Sequence, residues 1–226
     1  ALVDYSKAFF PVLALVLGFI PTATVSAADI TLNCTSGCDQ THLQAAIDSA
    51  ANGDTITVSG TITLGGPVTI GKPITLKGNT GAKMAGTIAA GTNPITITGS
   101  NVTIKDFEIE KIDKAGPQNI IWLNGQSAQI TGNKFHGQYA LGDNDVSRAM
   151  VISGGLNGLI IDGNEVYALR QPAYISGTST GTVSNNFVHG TKGWVLEGGN
   201  LIFSGNTFAN NIGDIAIIDT VPAEFY

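Results

Sequence analysis

The chain has 226 residues, with 11 Lys and Arg against 17 Asp and Glu, giving a formal net charge of −6; that balance excludes a basic nucleic-acid-binding surface. Charged residues make up only 12% and hydrophobic residues 43%, so the chain can bury a core and is not disordered throughout. The 29 glycines, set among frequent Thr, Ile, Val, Asn and Ser, fit a turn-rich all-β protein and disfavour a helix-rich enzyme.

Residues 1–28 have a composition of their own. Asp4 and Lys7 precede an uncharged run from Ala8 to Ile20, followed by Pro21 and a Val25-Ser26-Ala27 end. A short charged start, an apolar centre too short for a comfortable bilayer span and a small-residue end form the layout of a secretory signal peptide. This predicts export, to the cell surface or the extracellular medium. The alternative is a hydrophobic helix that is kept, either in membrane contact or in a filament core. Asp4 and Pro21 resemble the start of pilin-like subunits, although Lys7 and Pro11 interrupt the apolar run and Pro11 would kink a helix.

Cys34 and Cys38 come next, and in an exported chain they predict a small disulfide staple. A zinc site would need more ligands than His42, the one candidate nearby. From Thr41 to Ala51 the pattern predicts a helix capped by Thr41, with Leu43, Ala46, Ile47 and Ala50 on one face. Asn52-Gly53-Asp54 ends it and Thr55–Val58 begins a strand. Such a helix would cover the core and strand edges that a first coil leaves open.

Beyond it a short phrase recurs: an apolar residue, any residue, Gly or Asn, then Asn. It occurs as Ile130-Thr-Gly-Asn133, Ile161-Asp-Gly-Asn164, Val183-Ser-Asn-Asn186 and Phe203-Ser-Gly-Asn206, with asparagines 31, 22 and 20 residues apart. Ile104-Lys-Asp-Phe107 is a degenerate copy and Leu76-Lys-Gly-Asn79 a further candidate. Irregular spacing excludes a helical-hairpin array and suits a coil of short strands whose corners absorb insertions. A second phrase alternates with the first: Trp122-Leu-Asn-Gly125, Val151-Ile-Ser-Gly154, Tyr174-Ile-Ser-Gly177, Val195-Leu-Glu-Gly198 and Ile217-Ile-Asp219. Two strand types in fixed order predict an all-β parallel β-helix over residues 29–226, with about eight coils and the asparagines stacked in one corner.

The segments Leu43-Gln-Ala-Ala-Ile-Asp-Ser-Ala-Ala-Asn-Gly-Asp-Thr-Ile-Thr-Val58 and Gly71-Lys-Pro-Ile-Thr-Leu-Lys-Gly78 resemble the opening of right-handed parallel β-helix proteins of the pectate-lyase-like superfamily. The resemblance implies the fold but no single activity, since that superfamily spans lyases, hydrolases, esterases, adhesins and passive surface proteins. For a lyase it implies an acidic, calcium-binding cluster beside a basic residue on the outside of one sheet.

Two acidic groups fit that expectation in part. Asp106, Glu108 and Glu110 alternate and would share one face of a strand, where three carboxylates could hold calcium; Lys105, Lys111 and Lys114 nearby suit a solvated mixed-charge face equally well. Asp143-Asn-Asp145 resembles part of a calcium loop without its further acids. Aligning the second phrase puts Asn119, Arg148, Gln171, Lys192 and Asp214 in one row, and aligning the first puts His136, Tyr167, His189 and Ala209 in another. Were the chain an enzyme, the two rows would form a polar groove with Arg148 and Lys192 as cationic partners for a uronate and His136 or His189 as acid or base. No repeated acidic cluster flanks the groove, and Arg170-Gln-Pro172 matches only a fragment of the lyase signature, so no catalytic residue is assigned and no cofactor beyond calcium is suggested.

Alternation along the second phrase points Leu123, Ile152, Ile175, Leu196 and Ile218 inward and leaves Trp122, Val151, Tyr174, Val195 and Ile217 as an outward apolar column. Such a stripe marks a binding surface, for a second subunit or for a sugar ring stacking on Trp122 and Tyr174. After Ile217 no capping helix is predicted; Pro222 would block strand addition, and Phe225 and Tyr226 could fold over the end. The sequence therefore predicts an exported, noncatalytic structural or adhesive subunit that assembles into a homo-oligomer or filament, with an extracellular polysaccharide lyase, hydrolase or glycan-binding protein as the alternative.

Overall fold

The computed structural model describes residues 27–86, 92–112 and 119–217 and the strand Glu224–Phe225. The hydrophobic segment expected as a leader or anchor lies, apart from Ala27 and Ala28, outside these residues, as do Pro222 and Tyr226. Among the described residues no helix is long and apolar enough to cross a membrane.

Short parallel strands wind into a right-handed β-helix with three faces. The first face runs from the start of Thr55–Thr63 through Thr75–Gly78, Thr103–Lys105, Gln129–Thr131, Leu159–Asp162 and Thr180–Ser184 to Asn200–Ser204. The second runs from the end of Thr55–Thr63 through Lys83–Gly86, Glu108–Lys111, Lys134–His136, Glu165–Tyr167 and Phe187–His189 to Thr207–Ala209. The third begins at Val68–Ile70 and ends at Ile215–Ile217, and it includes Asn119–Leu123, Arg148–Ile152, Gln171–Ser176 and Trp194–Glu197. Among the described residues the third face has seven strands, one turn fewer than expected. Residues 29–54 form an entry strand and a capping helix instead of a coil, and residues 137–147 lengthen one corner.

Like positions lie above one another. Ile104, Ile130, Ile161 and Val183 are successive partners on the first face. Ile109, Phe135, Val166 and Val188 stack on the second, and Leu123, Ile152, Ile175 and Leu196 on the third. All twelve are buried. The alternation that makes each strand half apolar thus becomes three inward files meeting in one core, which is what keeps such short strands together.

The corner between the first and second faces explains the Gly-Asn phrase. Its first residue is left-handed in every later coil: φ is +64° at Asp106, +63° at Gly132, +64° at Gly163, +53° at Asn185 and +63° at Gly205. Gly adopts this conformation without strain, and Asn or Asp tolerates it. The next residue is the ladder asparagine. Asn133 Nδ2 donates to Ile104 O at 2.9 Å and to Asn164 Oδ1 at 3.2 Å, and Asn133 N donates to the same Oδ1 at 3.0 Å. Asn164 repeats the pattern with Ile130 O and Asn186 Oδ1, and Asn186 with Ile161 O and Asn206 Oδ1. Asn133, Asn164 and Asn186 are each 1% exposed, so each buried amide is satisfied by the coils beside it. Phe107 replaces the asparagine in the degenerate copy, yet its N–H still donates to Asn133 Oδ1 at 3.1 Å. Asn79 stands outside the ladder and bonds Ser59 Oγ at 2.8 Å.

At the amino-terminal end the helix spans Gln40–Ser49 and buries Leu43 and Ile47. Its cap is Asp39, two residues before the expected Thr41: Asp39 has an extended backbone, and its carboxylate accepts from Thr41 N at 2.9 Å and His42 N at 3.2 Å. Bonds from Thr41 and His42 hold the Asp39 carboxyl well below its usual range. The strand Asp29–Asp39 was not foreseen; it pairs with Thr55–Thr63 and bulges between Cys34 and Cys38. The predicted disulfide closes that bulge, with Cα atoms 5.1 Å apart. With both sulfurs bonded and His42 Nδ1 2.7 Å from Asp39 Oδ1, the residues do not form a zinc site. At the other end Glu224–Phe225 adds a parallel strand beside Asn200–Ser204.

Candidate functional site

The two rows predicted to share one groove stand on different faces. His136, Tyr167 and His189 close the strands of the second face, while Asn119, Arg148 and Gln171 open those of the third and Lys192 sits in the turn two residues before Trp194–Glu197. Among the described residues, no hydrogen bond, ion pair or ring contact joins one row to the other.

The second-face row is a stack of rings. His136 and Tyr167 lie 5.1 Å apart and nearly parallel, as do Tyr167 and His189 at 5.0 Å. His136 Nε2 is 3.0 Å from Glu108 Oε1, and His189 Nε2 is 3.1 Å from Glu165 Oε1. The ring faces cover one another, so this file is internally satisfied. Glu108, Glu110 and His136 bring their ligand atoms within 4.8 Å of one another. Lys83 Nζ already sits in this group, 2.5 Å from Glu110 Oε2 and 3.2 Å from Glu108 Oε1; the bond to Glu110 raises the Lys83 pKa, and the bond from His136 leads in lowering that of Glu108. Calcium takes about six to eight oxygen ligands, and two carboxylates facing an ammonium are a poor fit. Asp106 does not join them: its left-handed backbone turns the corner, so the three acids do not share a face. Asp143 and Asp145 serve the turn, accepting from Ala140 N at 2.9 Å and from Ser147 N and Oγ at 3.1 and 2.6 Å.

The third face is less self-contained. Trp122, Val151, Tyr174 and Val195 stack in register, as the second phrase predicts. Trp122 is 41% exposed and Val195 only 7%. The next position belongs to Ala216, because Ile215 pairs with Trp194 and Ile217 with Leu196. Ile217 is therefore in register with the inward file and not with the outer column, and on the last described coil it is 53% exposed. Trp122 Nε1 donates to Ser153 Oγ at 3.1 Å, and Tyr174 Oη donates to the Glu197 carboxylate, which raises the tyrosine pKa.

Beside this column Arg148 is clamped from both neighbouring coils. Its Nε donates to Gln171 Oε1 at 2.6 Å, its Nη1 to Asn119 Oδ1 at 3.4 Å, and its guanidinium lies 5.3 Å from the centre of the Tyr174 ring. Gln171 is buried and Asn119 is itself bonded to Asn93 Oδ1 at 3.2 Å. Burial and the neighbouring Arg170 lower the Arg148 pKa. Among the described residues no carboxylate lies within ion-pair reach of Arg148, Arg170 or Lys192, and Arg170 Nε is buried without a partner. Lys192 follows Gln171 in the row by its spacing from the paired Val195 and Tyr174. Asp214, expected next, instead falls beside Gly193, since Trp194 pairs with Ile215. A fixed, partly desolvated guanidinium keeps donors to spare for an oxyanion. Sequence reasoning found this residue but not its clamp, which depends on side chains 23 and 29 positions away.

No family model and no curated protein matches the chain. A solved structure that it resembles is an alginate lyase from Paenibacillus sp. str. FPU-7, at 12% identity and a TM-score of 0.37, covering 86% of this chain and 99% of that one.

Proposed function

We propose that the protein binds an acidic polysaccharide along its third face. The observation that carries this reading is Arg148: a half-buried cation held by two amides, beside a second arginine, with no carboxylate from the described residues to balance it. Desolvating charge without a partner is unfavourable, and an anionic ligand would offset it. The Trp122 and Tyr174 side chains beside it offer apolar ring surface and polar tips, which suits sugars. The disulfide and the leader-like segment support an exported setting.

Self-assembly through the same column is the rival. It gains less support, because Val195 is nearly buried and Ala216 replaces the expected isoleucine, so the exposed apolar strip narrows to Trp122, Val151 and Tyr174. Stable subunit interfaces bury about 800 Å² per partner.

Calorimetric titration with polygalacturonate, alginate and hyaluronan oligosaccharides, each beside its carboxyl-reduced form, tests the proposal. Binding that requires the carboxylates and weakens at least tenfold in Arg148→Ala is expected, about 1.4 kcal/mol. Failure to bind any of them, or equal binding of the reduced forms, overturns it. Ultraviolet absorbance from unsaturated uronides in the same mixtures would extend the reading to a lyase. Sedimentation of Trp122→Asp addresses the rival: dissociation of an oligomer with glycan binding intact would favour assembly.

A further inference from the structure

The third face keeps its charges apart. Arg148, with Arg170 near it, opens the strand Arg148–Ile152. Glu197 closes the strand Trp194–Glu197, exposed and in register with Ser176. The Tyr174 side chain touches both: the Arg148 guanidinium is 5.3 Å from its ring centre, and its hydroxyl donates to the Glu197 carboxylate. Among the described residues Glu197 joins no ion pair, and Lys192 lies at the opposite end of its strand. The position of Glu197, one residue past the inward Leu196, is held on the preceding coils by Ser176, Ser153 and Asn124, all uncharged. The fold does not need an acid there. Tyr174 is only half-buried, so water would satisfy its hydroxyl equally well.

The two directions along the outer column differ accordingly. Toward the amino-terminal end come Trp122, then Thr96 and Thr69, in register and uncharged. Toward the other end comes Tyr174, with the Glu197 carboxylate at its tip, and then Val195, which is buried. Strands are spaced about 4.8 Å apart, roughly the advance of one sugar in an extended chain. A sugar whose carboxylate meets Arg148 therefore has its neighbour on that side over Tyr174. A second carboxylate on that neighbour would face Glu197, with no cation among the described residues to offset the repulsion.

We infer that Glu197 is a specificity-determining residue that bars acidic sugars from the Tyr174 side of Arg148. The face then takes one carboxylate at Arg148 and an uncharged sugar on Tyr174, whose hydroxyls donate to Glu197. A polyuronate is held only by an end, its remaining sugars running toward Trp122. This inference rests on the acidic-glycan reading and deepens it by naming what the site rejects.

Calorimetry with hexagalacturonate and with a trisaccharide bearing a single uronate distinguishes the two claims. Glu197→Gln keeps an acceptor for the Tyr174 hydroxyl and removes only the charge. It is expected to bind hexagalacturonate at least threefold more tightly than wild type at low salt, the gain shrinking as salt is raised, while the trisaccharide changes less than twofold. Ser176→Glu, which sets a second carboxylate one coil nearer Arg148, should weaken the hexamer more than the trisaccharide. An unchanged hexamer affinity in Glu197→Gln, or an equal gain for both ligands, overturns the inference while leaving acidic-glycan binding standing. So does weaker binding of both ligands, which would make Glu197 a positioning residue for Tyr174. Absence of binding of either ligand to wild type and to Glu197→Gln refutes the acidic-glycan reading itself.

Discussion

Two corners of the coil handle the same problem, turning the chain from one face to the next, in opposite ways. Between the first and second faces the turn is two residues in coil after coil, as in Gly132-Asn133, Gly163-Asn164 and Gly205-Asn206. Its buried amides bond to the equivalent asparagines and to strand carbonyls of the adjoining coils. Between the second and third faces the turn is residues 137–147 in one coil, 168–170 in the next, then 190–193 and 210–214. There Arg148, Arg170 and Lys192 lack carboxylate partners among the described residues, and Arg170 Nε and Tyr139 Oη are buried unbonded. The fixed-length corner satisfies itself; the variable one leaves bonding capacity for something else.

Mutations should separate these roles. The largest effect on folding is expected from Asn164→Ala, which strands the Asn133 N–H and amide and the Ile130 carbonyl. With about 1–3 kcal/mol for each buried group left unmade, a loss of about 3 kcal/mol or more in urea unfolding is expected, and a change below about 1 would show that the ladder is dispensable. Replacing both Cys34 and Cys38 with Ser should remove about 2 kcal/mol, the value for a very short closed loop, measured against the oxidised protein by the same unfolding curve. Arg148→Ala should cost less, about 1 kcal/mol, because it strands one buried acceptor, Gln171 Oε1, while removing a partly desolvated charge; a destabilisation as large as that of Asn164→Ala would make Arg148 structural and erase the contrast between the corners.

The smallest effect concerns pH. Glu108 is held below its ordinary value of 4.5, chiefly by His136 and then by Lys83. A depressed folded-state pKa adds stability that is present above the unfolded value and disappears as pH falls through the folded one. The wild type should therefore lose stability as pH drops below about 4.5, and Glu108→Gln should flatten that decline, read from thermal midpoints across the acid range. The uncharged asparagine ladder adds nothing to this slope, so Asn164→Ala should lower the whole curve without tilting it.

Much of this contrast was legible in the sequence because it is periodic. Gly-Asn pairs after an apolar residue reveal a left-handed corner wherever they recur, and the Trp122, Val151, Tyr174 and Val195 phrases carry their own register. The register failed at Ile215-Ala-Ile-Ile218, where an unbroken apolar run fits either of two alignments one residue apart. The Asp106, Glu108 and Glu110 alternation misled because a corner residue interrupts the strand, and a period of two holds only within one. Asp39 was passed over because Thr41 is also a capping type. The Arg148 clamp and the pairing of His136 with Glu108 were invisible until coils were superposed, since each joins residues more than twenty positions apart.

The loop of residues 137–147 leaves the second face after His136 and rejoins the third at Arg148 without altering the pairing of either strand with its neighbours. That corner is therefore a natural splice point. Segments of other lengths could be exchanged there, next to the ligand-facing strip, while the coils on both sides keep their stacking, so that specificity can be rewritten without refolding the shaft that carries it.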